Sequence, residues 1–196
     1  MAEEYAGFKF IVERQVKQPL PPDALRVARQ IEWACRRIAK AGFAHGIGGN
    51  LSQRHGKGFV ITPTGLGLAN MNAGDMALVT DVDFEGNKVK CAVGMRVPSS
   101  ETLMHALIYS ERTDANAIAH MHVEALLDET GASAVDVPTT PQVLPYGTME
   151  SAKAACDLLA QADVIVMRGH GTVAVGANIG EAVAKIINKY RAVIRK

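Results

Sequence analysis

The feature of the sequence that constrains the fold most is a run of short strand-like segments in the middle of the chain. Residues 58–65 read Gly-Phe-Val-Ile-Thr-Pro-Thr-Gly, which is typical of a β-strand that runs into a proline-containing turn. Residues 75–82 and 88–92 predict two more strands, and the sequence Asp-Phe-Glu-Gly-Asn at 83–87 predicts a turn between them. Because turns of this length join antiparallel neighbours, this part of the chain predicts an antiparallel sheet.

Helical patterns flank this run of strands on both sides. Residues 23–41 carry apolar side chains at helical spacing, with Asp23 as the expected N-cap and Gly42 as the expected end. The remaining predicted elements are helices at 103–111, 149–161 and 179–194 and strands at 117–122, 163–167 and 172–175. Helices that recur among strands exclude an all-β sandwich and predict a sheet with helices packed on it.

The length and composition predict one globular domain. The chain has 196 residues, of which 48% are hydrophobic and 21% are charged, and these values are typical of a folded domain with a sizeable core. Pro19, Pro21 and Pro22 predict a break between an N-terminal leader, residues 1–22, and a domain that spans residues 23–196.

The charge and the cysteines limit the partners and the compartment. A net charge of +1 gives no overall field that would attract nucleic acid or an anionic membrane, so a bound anion must be held by a local site. Cys35, Cys91 and Cys156 are an odd number of cysteines without a Cys-x-x-Cys pair, which argues against a disulfide framework. Because the sequence has no signal peptide and no apolar run of membrane length, we expect a cytoplasmic protein.

Two histidines separated by one residue are the first candidates for chemistry. In the predicted strand, His120 and His122 point to the same face, where two imidazoles can bind one metal ion. His170 lies between Gly169 and Gly171, which allow a tight turn that presents its side chain. Three neutral imidazoles with an open fourth position form the ligand set of a catalytic zinc site. The alternative at this point is that His120 and His122 are two core histidines.

The other three histidines need no catalytic role. We expect His45 and His55 to lie in polar loops, where water solvates their rings. His105 falls within a predicted helix, and we expect it to make a structural hydrogen bond. The candidate metal ligands are therefore the other three histidines.

Two stretches of the sequence are suited to bind an anion. The loop at 46–49 contains three glycines and can expose amide N–H groups to an anion, although a plain turn into a strand has the same composition. Ser99 and Ser100 precede a helix, where hydroxyls and free N–H groups favour a phosphate or a carboxylate. The alternative is an ordinary serine N-cap, followed by Glu101 as an ordinary first-turn acid.

Five short motifs follow one another along the chain. They are Gly49-Asn50-Leu51-Ser52, Thr62-Pro63-Thr64-Gly65, Ser99-Ser100-Glu101, His120-Met121-His122 and Gly169-His170-Gly171. Together they resemble the motif set of the class II aldolase and adducin head family, and within it the fuculose-phosphate aldolase branch. The match runs in order from about residue 23 to about residue 194, so it covers nearly the whole chain.

The resemblance implies a fold, an assembly and a metal. The fold of the family is a single three-layer α/β/α domain around a largely antiparallel sheet, and the family commonly forms a homotetramer with sites at subunit interfaces. The implied cofactor is Zn²⁺, with Mn²⁺, Co²⁺ or Fe²⁺ as other divalent ions. The residues that match the metal ligands are His120, His122, His170 and Glu101.

The resemblance also implies how a substrate is held and cleaved. Glu101 matches the residue that acts as acid and base. The matches to the phosphate-binding residues are Asn50, Thr64, Gly65, Ser99 and Ser100. The implied activity is a metal-dependent aldolase that cleaves or forms a ketose 1-phosphate through the enediolate of dihydroxyacetone phosphate. The alternatives are a sugar-phosphate 4-epimerase of the ribulose-5-phosphate type and a non-catalytic module like the adducin head.

The sequence departs from the fuculose branch in one loop. That branch carries a tyrosine proton donor a few residues after a proline, whereas residues 137–142 here read Val-Pro-Thr-Thr-Pro-Gln. The loop at 123–144 is also shorter than in that branch. Tyr146 matches a different tyrosine of the family, so the residue that replaces the donor stays open.

Overall fold

The computed structural model of the chain describes residues 10–44, 46–127 and 129–195. Within this part of the chain, one sheet contains nine strands: β1 (Ile11–Val12), β2 (Gln15–Val16), β3 (Asn50–His55), β4 (Gly58–Ile61), β5 (Ala77–Asp83), β6 (Lys88–Val93), β7 (Ala117–Met121), β8 (Val164–Met167) and β9 (Gly171–Gly176). The helices are α1 (Pro22–Lys40), α2 (Thr102–Glu111), α3 (Glu129–Ala134), α4 (Met149–Leu159) and α5 (Ile179–Val193). The predicted strands and helices are present with small shifts at their ends, whereas β1, β2 and α3 were not predicted.

The sheet is largely antiparallel, as predicted. Its strand order is β1-β6-β5-β4-β3-β7-β9-β8, and β2 pairs with β6 as well. The pairings of β1 and β2 with β6 are parallel, and the pairings among β3 to β9 are antiparallel. The order places β7 near the middle of the sheet, between β3 and β9, so both of its edges are hydrogen-bonded.

Both faces of the sheet are covered by helices, which gives the predicted three layers. In β7, Ala117 and Ala119 belong to the hydrophobic cluster that contains α1 and α5, whereas Ile118 belongs to the cluster that contains α2 and α4. This alternation follows from the period of two along a strand. Because β7 is buried on both faces, a polar side chain on it must find its partners within the protein.

Helix α1 begins one residue earlier than predicted, and Asp23 is not its N-cap. Pro21 occupies the N-cap position and Pro22 is the first helical residue, where a missing N–H costs nothing because that donor has no intrahelical partner. Asp23 lies in the first turn instead, where its carboxylate complements the positive end of the helix dipole. The prediction of Asp23 as the cap was therefore wrong.

Part of the predicted leader lies on the sheet. Residues 11–16 form β1 and β2 on β6, and Phe10 is buried in the cluster of α2 and α4. Residues 1–9 lie outside the described residues, as does His45, so the prediction of a solvated loop at His45 is not tested. In the described part of the chain, no helix is both long and apolar enough to cross a membrane.

The layered packing predicts a large difference between two isoleucine substitutions. Ile118→Ala should lower the free energy of unfolding by about 2–5 kcal/mol because Ile118 is fully buried at the centre of the sheet and leaves a cavity. Ile11→Ala is the control, since Ile11 is 61% exposed and should change stability by less than about 0.5 kcal/mol. Urea unfolding measures both, and similar losses in the two variants would contradict the packing described here.

Candidate metal and active site

The two histidines of the His-x-His motif converge at the end of β7. The strand ends at Met121, so it is one residue shorter than predicted, and His122 follows it directly. The two side chains still turn to the same side, and the Nε2 atoms of His120 and His122 are 3.1 Å apart. His120 is fully buried, whereas His122 is partly buried. Sequence spacing therefore identified a real cluster.

His170 reaches the same point from the turn between β8 and β9. Gly169 has φ +68°, a conformation that glycine adopts without strain, and the N–H of His170 donates to the carbonyl of Met167 at 3.0 Å. The pairing of β7 with β9 brings this turn beside the other two rings, with ring centroids 4.8 Å from His120 and 5.3 Å from His122. One nitrogen from each of the three rings lies within 4.8 Å of the others.

Glu101 completes the cluster from the opposite layer. It is the N-cap residue of α2, although its side chain caps no N–H, and Ser99 Oγ accepts from the Glu101 N–H at 3.3 Å. Oε2 of Glu101 lies 3.2 Å from His120 Nε2, and Oε1 lies 3.5 Å from His170 Nε2. The carboxylate is 5% exposed, so it is not the ordinary solvated first-turn acid of the alternative interpretation.

Two glycines make room for the imidazoles. A Cβ on Gly171 would lie 2.3 Å from His120 Cε1, and a Cβ on Gly48 would lie 2.7 Å from His122 Nδ1. Gly49 has φ +81°, and a Cβ there would lie 2.8 Å from the His120 carbonyl. The glycine-rich loop therefore has a steric reason for its composition, independent of any anion that it binds.

Burial keeps the ligand histidines neutral. Loss of solvation lowers the pKa of His122 to about 4. The pKa of His120 is also lowered well below its ordinary value, first by burial and then by the neighbouring His170 and His122. Neutral imidazole is the form that binds a metal.

The donor set fits a divalent metal ion. Oε1 of Glu101 is buried and makes no hydrogen bond within the part of the chain that the structure describes. A carboxylate in that state is costly unless a cation or a donor meets it. Three imidazoles and one carboxylate are the ligand types that zinc and related divalent ions take. A metal held here would draw on His120, His122, His170 and Glu101.

The segments that carry the phosphate candidates lie together beside Glu101. Pro63 and Pro98 form an antiparallel bridge, which joins residues 62–65 to residues 97–100. On either side of it, the N–H of Thr64 donates to the Val97 carbonyl, and the N–H of Ser99 donates to the Thr62 carbonyl. The structure thus brings together the segments of Asn50, Thr64, Gly65, Ser99 and Ser100, and their phosphate role remains a prediction.

A buried chain of hydrogen bonds leads away from Glu101. Asn50 Nδ2 donates to Glu101 Oε2 at 2.7 Å, and His105 Nε2 lies 2.6 Å from Asn50 Oδ1. Ser52 Oγ lies 2.6 Å from His105 Nδ1 and 2.8 Å from the Tyr109 hydroxyl. His105 makes the structural hydrogen bonds that were predicted, but the sequence analysis missed Ser52 and Tyr109. The signal was available, because Glu101, His105 and Tyr109 are four residues apart on one helix face.

The loop after β7 contributes one tyrosine near the site. The ring centroid of Tyr146 lies 6.1 Å from that of His170, with the planes inclined at 52°. Thr139 pairs with Val166 in a parallel bridge, which holds the segment without a tyrosine along β8. The structure therefore places Tyr146 next to the cluster and leaves its chemical role open.

The three-layer fold and the histidine–glutamate cluster define a class II aldolase domain. The model of the family described as the class II aldolase and adducin N-terminal domain matches residues 29–192. The chain belongs to this family.

The related proteins of known name are aldolases of phosphorylated sugars. The L-fuculose phosphate aldolase of Methanococcus maripaludis is 31% identical over 166 residues, which cover 77% of this chain and 85% of that protein. A 5-methylthioribulose-1-phosphate/5-deoxyribulose-1-phosphate aldolase of Escherichia coli is 27% identical over 171 residues, which cover 80% of this chain and 76% of that protein. The family is therefore shown by sequence, whereas the relatives differ in the sugar that their names give.

Solved structures share the fold. YgbL of Klebsiella pneumoniae, whose name leaves open aldolase, epimerase or decarboxylase activity, superposes with a TM-score of 0.70 at 21% identity and covers 89% of each chain. The L-fuculose-1-phosphate aldolase of Thermus thermophilus superposes with a TM-score of 0.64 at 23% identity, covering 87% of this chain and 93% of that one. At this level of identity the likeness establishes the architecture alone.

The close approach of Gly171 to His120 predicts a loss of metal binding on substitution. Gly171→Ala should weaken zinc binding by about 10–100-fold because the new methyl group displaces the His120 ring. Gly74→Ala is the control, since a Cβ at Gly74 meets no atom within 4 Å. Competition with a chromophoric chelator measures both affinities. Unchanged zinc binding in Gly171→Ala would contradict the assignment of His120 as a ligand.

The buried His105 predicts a pH-dependent stability. Burial lowers its pKa to about 4 in the folded protein, against about 6.5 in the unfolded chain. Between these values the unfolded chain binds more protons, so this contribution to stability is complete above about pH 6.5 and is lost as the pH falls toward 4. For the metal-free protein, urea unfolding should show a loss of about 2 kcal/mol from this group between pH 7 and pH 5.

His105→Gln is the matched variant for this measurement because glutamine keeps hydrogen-bonding groups but does not titrate. Its stability should fall less over the same pH range, by the share that His105 contributes. Equal losses in the wild-type protein and in His105→Gln would show that His105 is not the responsible group.

Proposed function

We propose that this protein is a metal-dependent aldolase that cleaves or forms a ketose 1-phosphate, of the fuculose-1-phosphate type. The observation that carries the proposal is the convergence of three neutral histidines and a buried carboxylate beside the segments of the phosphate candidates. The names of the relatives supply the substrate class. The product pair would be dihydroxyacetone phosphate and an aldehyde.

The phosphate of the substrate would be held by neutral groups. The candidates are Asn50, Thr64, Gly65, Ser99 and Ser100. Hydroxyls and backbone N–H groups can hold a phosphate without a cluster of lysines, which agrees with a net charge of +1. Because Ser100 is directly followed by Glu101, one short segment both binds the substrate and presents a carboxylate to it.

Glu101 would move the proton that cleavage requires. When the carbon–carbon bond breaks, the hydroxyl on the aldehyde side loses a proton and the bonding electrons pass to the carbon next to the ketone. That carbon must then gain a proton, and Glu101 is the buried carboxylate in the cluster. A divalent ion bound to His120, His122 and His170 would supply Lewis-acid stabilisation of the negative charge that develops on the substrate oxygens.

A sugar-phosphate 4-epimerase is the second candidate. The observation that favours it is the fold likeness to YgbL, whose name includes epimerase activity. An epimerase can use the same bond cleavage and then re-form the bond on the other face of the aldehyde. The loop at 123–144 lacks the tyrosine of the fuculose branch, which leaves room for either aldehyde chemistry.

The assembly, the metal and the extent of the domain belong to the proposal as well. We propose zinc as the native metal, a homotetramer with sites at subunit interfaces, and a catalytic domain that begins near residue 23. The cytoplasmic compartment is proposed on the same footing. The basis of these four points is the resemblance to the family, together with the histidine set for the metal.

A cleavage assay with matched variants tests the function. The zinc-loaded protein should release dihydroxyacetone phosphate from fuculose 1-phosphate or ribulose 1-phosphate, measured with a coupled reductase. Glu101→Gln should lower kcat by about 100-fold or more because the amide cannot accept a proton. Glu85→Gln is the control, since Glu85 is exposed in the turn between β5 and β6 and should leave the rate unchanged.

The products decide between the two candidates. Formation of xylulose 5-phosphate from ribulose 5-phosphate, without net cleavage of the 1-phosphates, would favour the epimerase. Full activity in Glu101→Gln would overturn the role given to this carboxylate. A protein that binds no metal and none of these sugar phosphates would favour the non-catalytic module.

A further inference from the structure

We propose that Tyr109, Ser52 and His105 act as positioning residues that fix the orientation of the Asn50 side-chain amide against Glu101. The four residues and the carboxylate form one continuous chain from β3 to α2, with donor–acceptor distances between 2.6 and 2.8 Å. In this chain the N–H and O–H groups point toward Glu101. The proposal extends the proposed function and its functional consequence rests on it.

The direction of the chain follows from the chemistry of its end. An ionised carboxylate only accepts hydrogen bonds, so Asn50 must turn its NH₂ group toward Glu101. The carbonyl oxygen of Asn50 then faces His105 Nε2, which must carry a proton to donate to it.

The same reasoning continues from the ring to the hydroxyls. In a neutral imidazole with a proton on Nε2, Nδ1 is an acceptor, so the hydroxyl of Ser52 donates to it. Ser52 has then used its only proton and accepts from the hydroxyl of Tyr109. Each partner has one remaining choice, so the orientation of Asn50 is set by four bonds in series.

Burial keeps the chain in this single state. Ser52 and His105 are fully buried, and Asn50 and Tyr109 are 5% exposed. Burial lowers the pKa of His105 to about 4 and raises the pKa of Tyr109, so the ring is neutral and the phenol is protonated at neutral pH. A buried network with satisfied members is rigid, and reversing one member would leave a donor or an acceptor unpaired.

The fixed amide has a consequence for the site. With its oxygen engaged by His105, Asn50 can offer only N–H groups toward the site, one to Glu101 and the second to an incoming anion. A reversed amide would instead aim its carbonyl oxygen at a carboxylate and at the substrate phosphate. The chain therefore keeps an electronegative atom away from both anions, although it touches neither the metal candidates nor the substrate.

The protonation state of His105 tests the chain directly. In protein labelled with ¹⁵N-histidine, a long-range ¹H–¹⁵N correlation spectrum at pH 7 distinguishes the two neutral forms of each ring. His105, assigned by the signals that disappear in His105→Gln, should carry its proton on Nε2 and none on Nδ1. A proton on Nδ1, or a doubly protonated ring, would overturn the proposal.

Two substitutions of His105 separate positioning from packing. Glutamine carries an N–H near the place of the histidine Nε2, whereas leucine fills a similar space without a donor. His105→Leu should weaken zinc binding by about 10–100-fold, as loss of a residue behind a ligand does, and His105→Gln should weaken it much less. Thermal unfolding of both variants reports their folding.

The outcomes of this comparison decide the proposal. Equal zinc affinity in His105→Leu and the wild type, or equal weakening in the two variants, would show that the N–H of His105 does not act through Asn50. If His105→Leu does not fold, the protonation state of His105 in the wild type decides alone. Neither readout needs an aldol substrate, so failure of the positioning chain is distinguishable from failure of the proposed function.

Discussion

The site depends on the register of one strand. In the pairing of β3 with β7, Asn50 lies directly opposite His120, and in the pairing of β7 with β9, Met121 lies opposite Thr172. A shift of one residue in either pairing would send the imidazole of His120 to the opposite face of the sheet, away from α2 and Glu101. The apolar residues on both faces of β7 oppose such a shift, because it would exchange the two clusters.

This position places polar groups where water cannot reach them. Full burial of His120 and near-full burial of Glu101 would be costly if either were alone. The carboxylate is instead met by Asn50 on one oxygen and by imidazole nitrogens near both. The interpretation of His120 and His122 as ordinary core histidines leaves the buried Oε1 of Glu101 without a donor, whereas a divalent ion would satisfy it.

The sequence predicted what depends on local spacing and missed what depends on distant pairing. The alternation of His120 and His122 along a strand indicated their shared face, and the glycines beside His170 indicated its turn. The exchange of Asp23 for Pro21 at the start of α1 is a competition between two good signals that only the backbone geometry decides. No local pattern places His105 on Asn50, because they are 55 residues apart in the chain and meet only when α2 packs on the sheet.

The two oxygens of Glu101 have different surroundings, which bears on the proposed proton transfer. Oε2 accepts from Asn50 at 2.7 Å and lies 3.2 Å from His120, so it is held on the side of the buried chain. Oε1 is 3.5 Å from His170 Nε2 and accepts no hydrogen bond among the described residues. A carboxylate tied at one oxygen can rotate about that contact and carry a proton on the other. Because Asn50 is fixed by His105, the movement leaves the chain intact, and Oε1 is the oxygen available to the substrate.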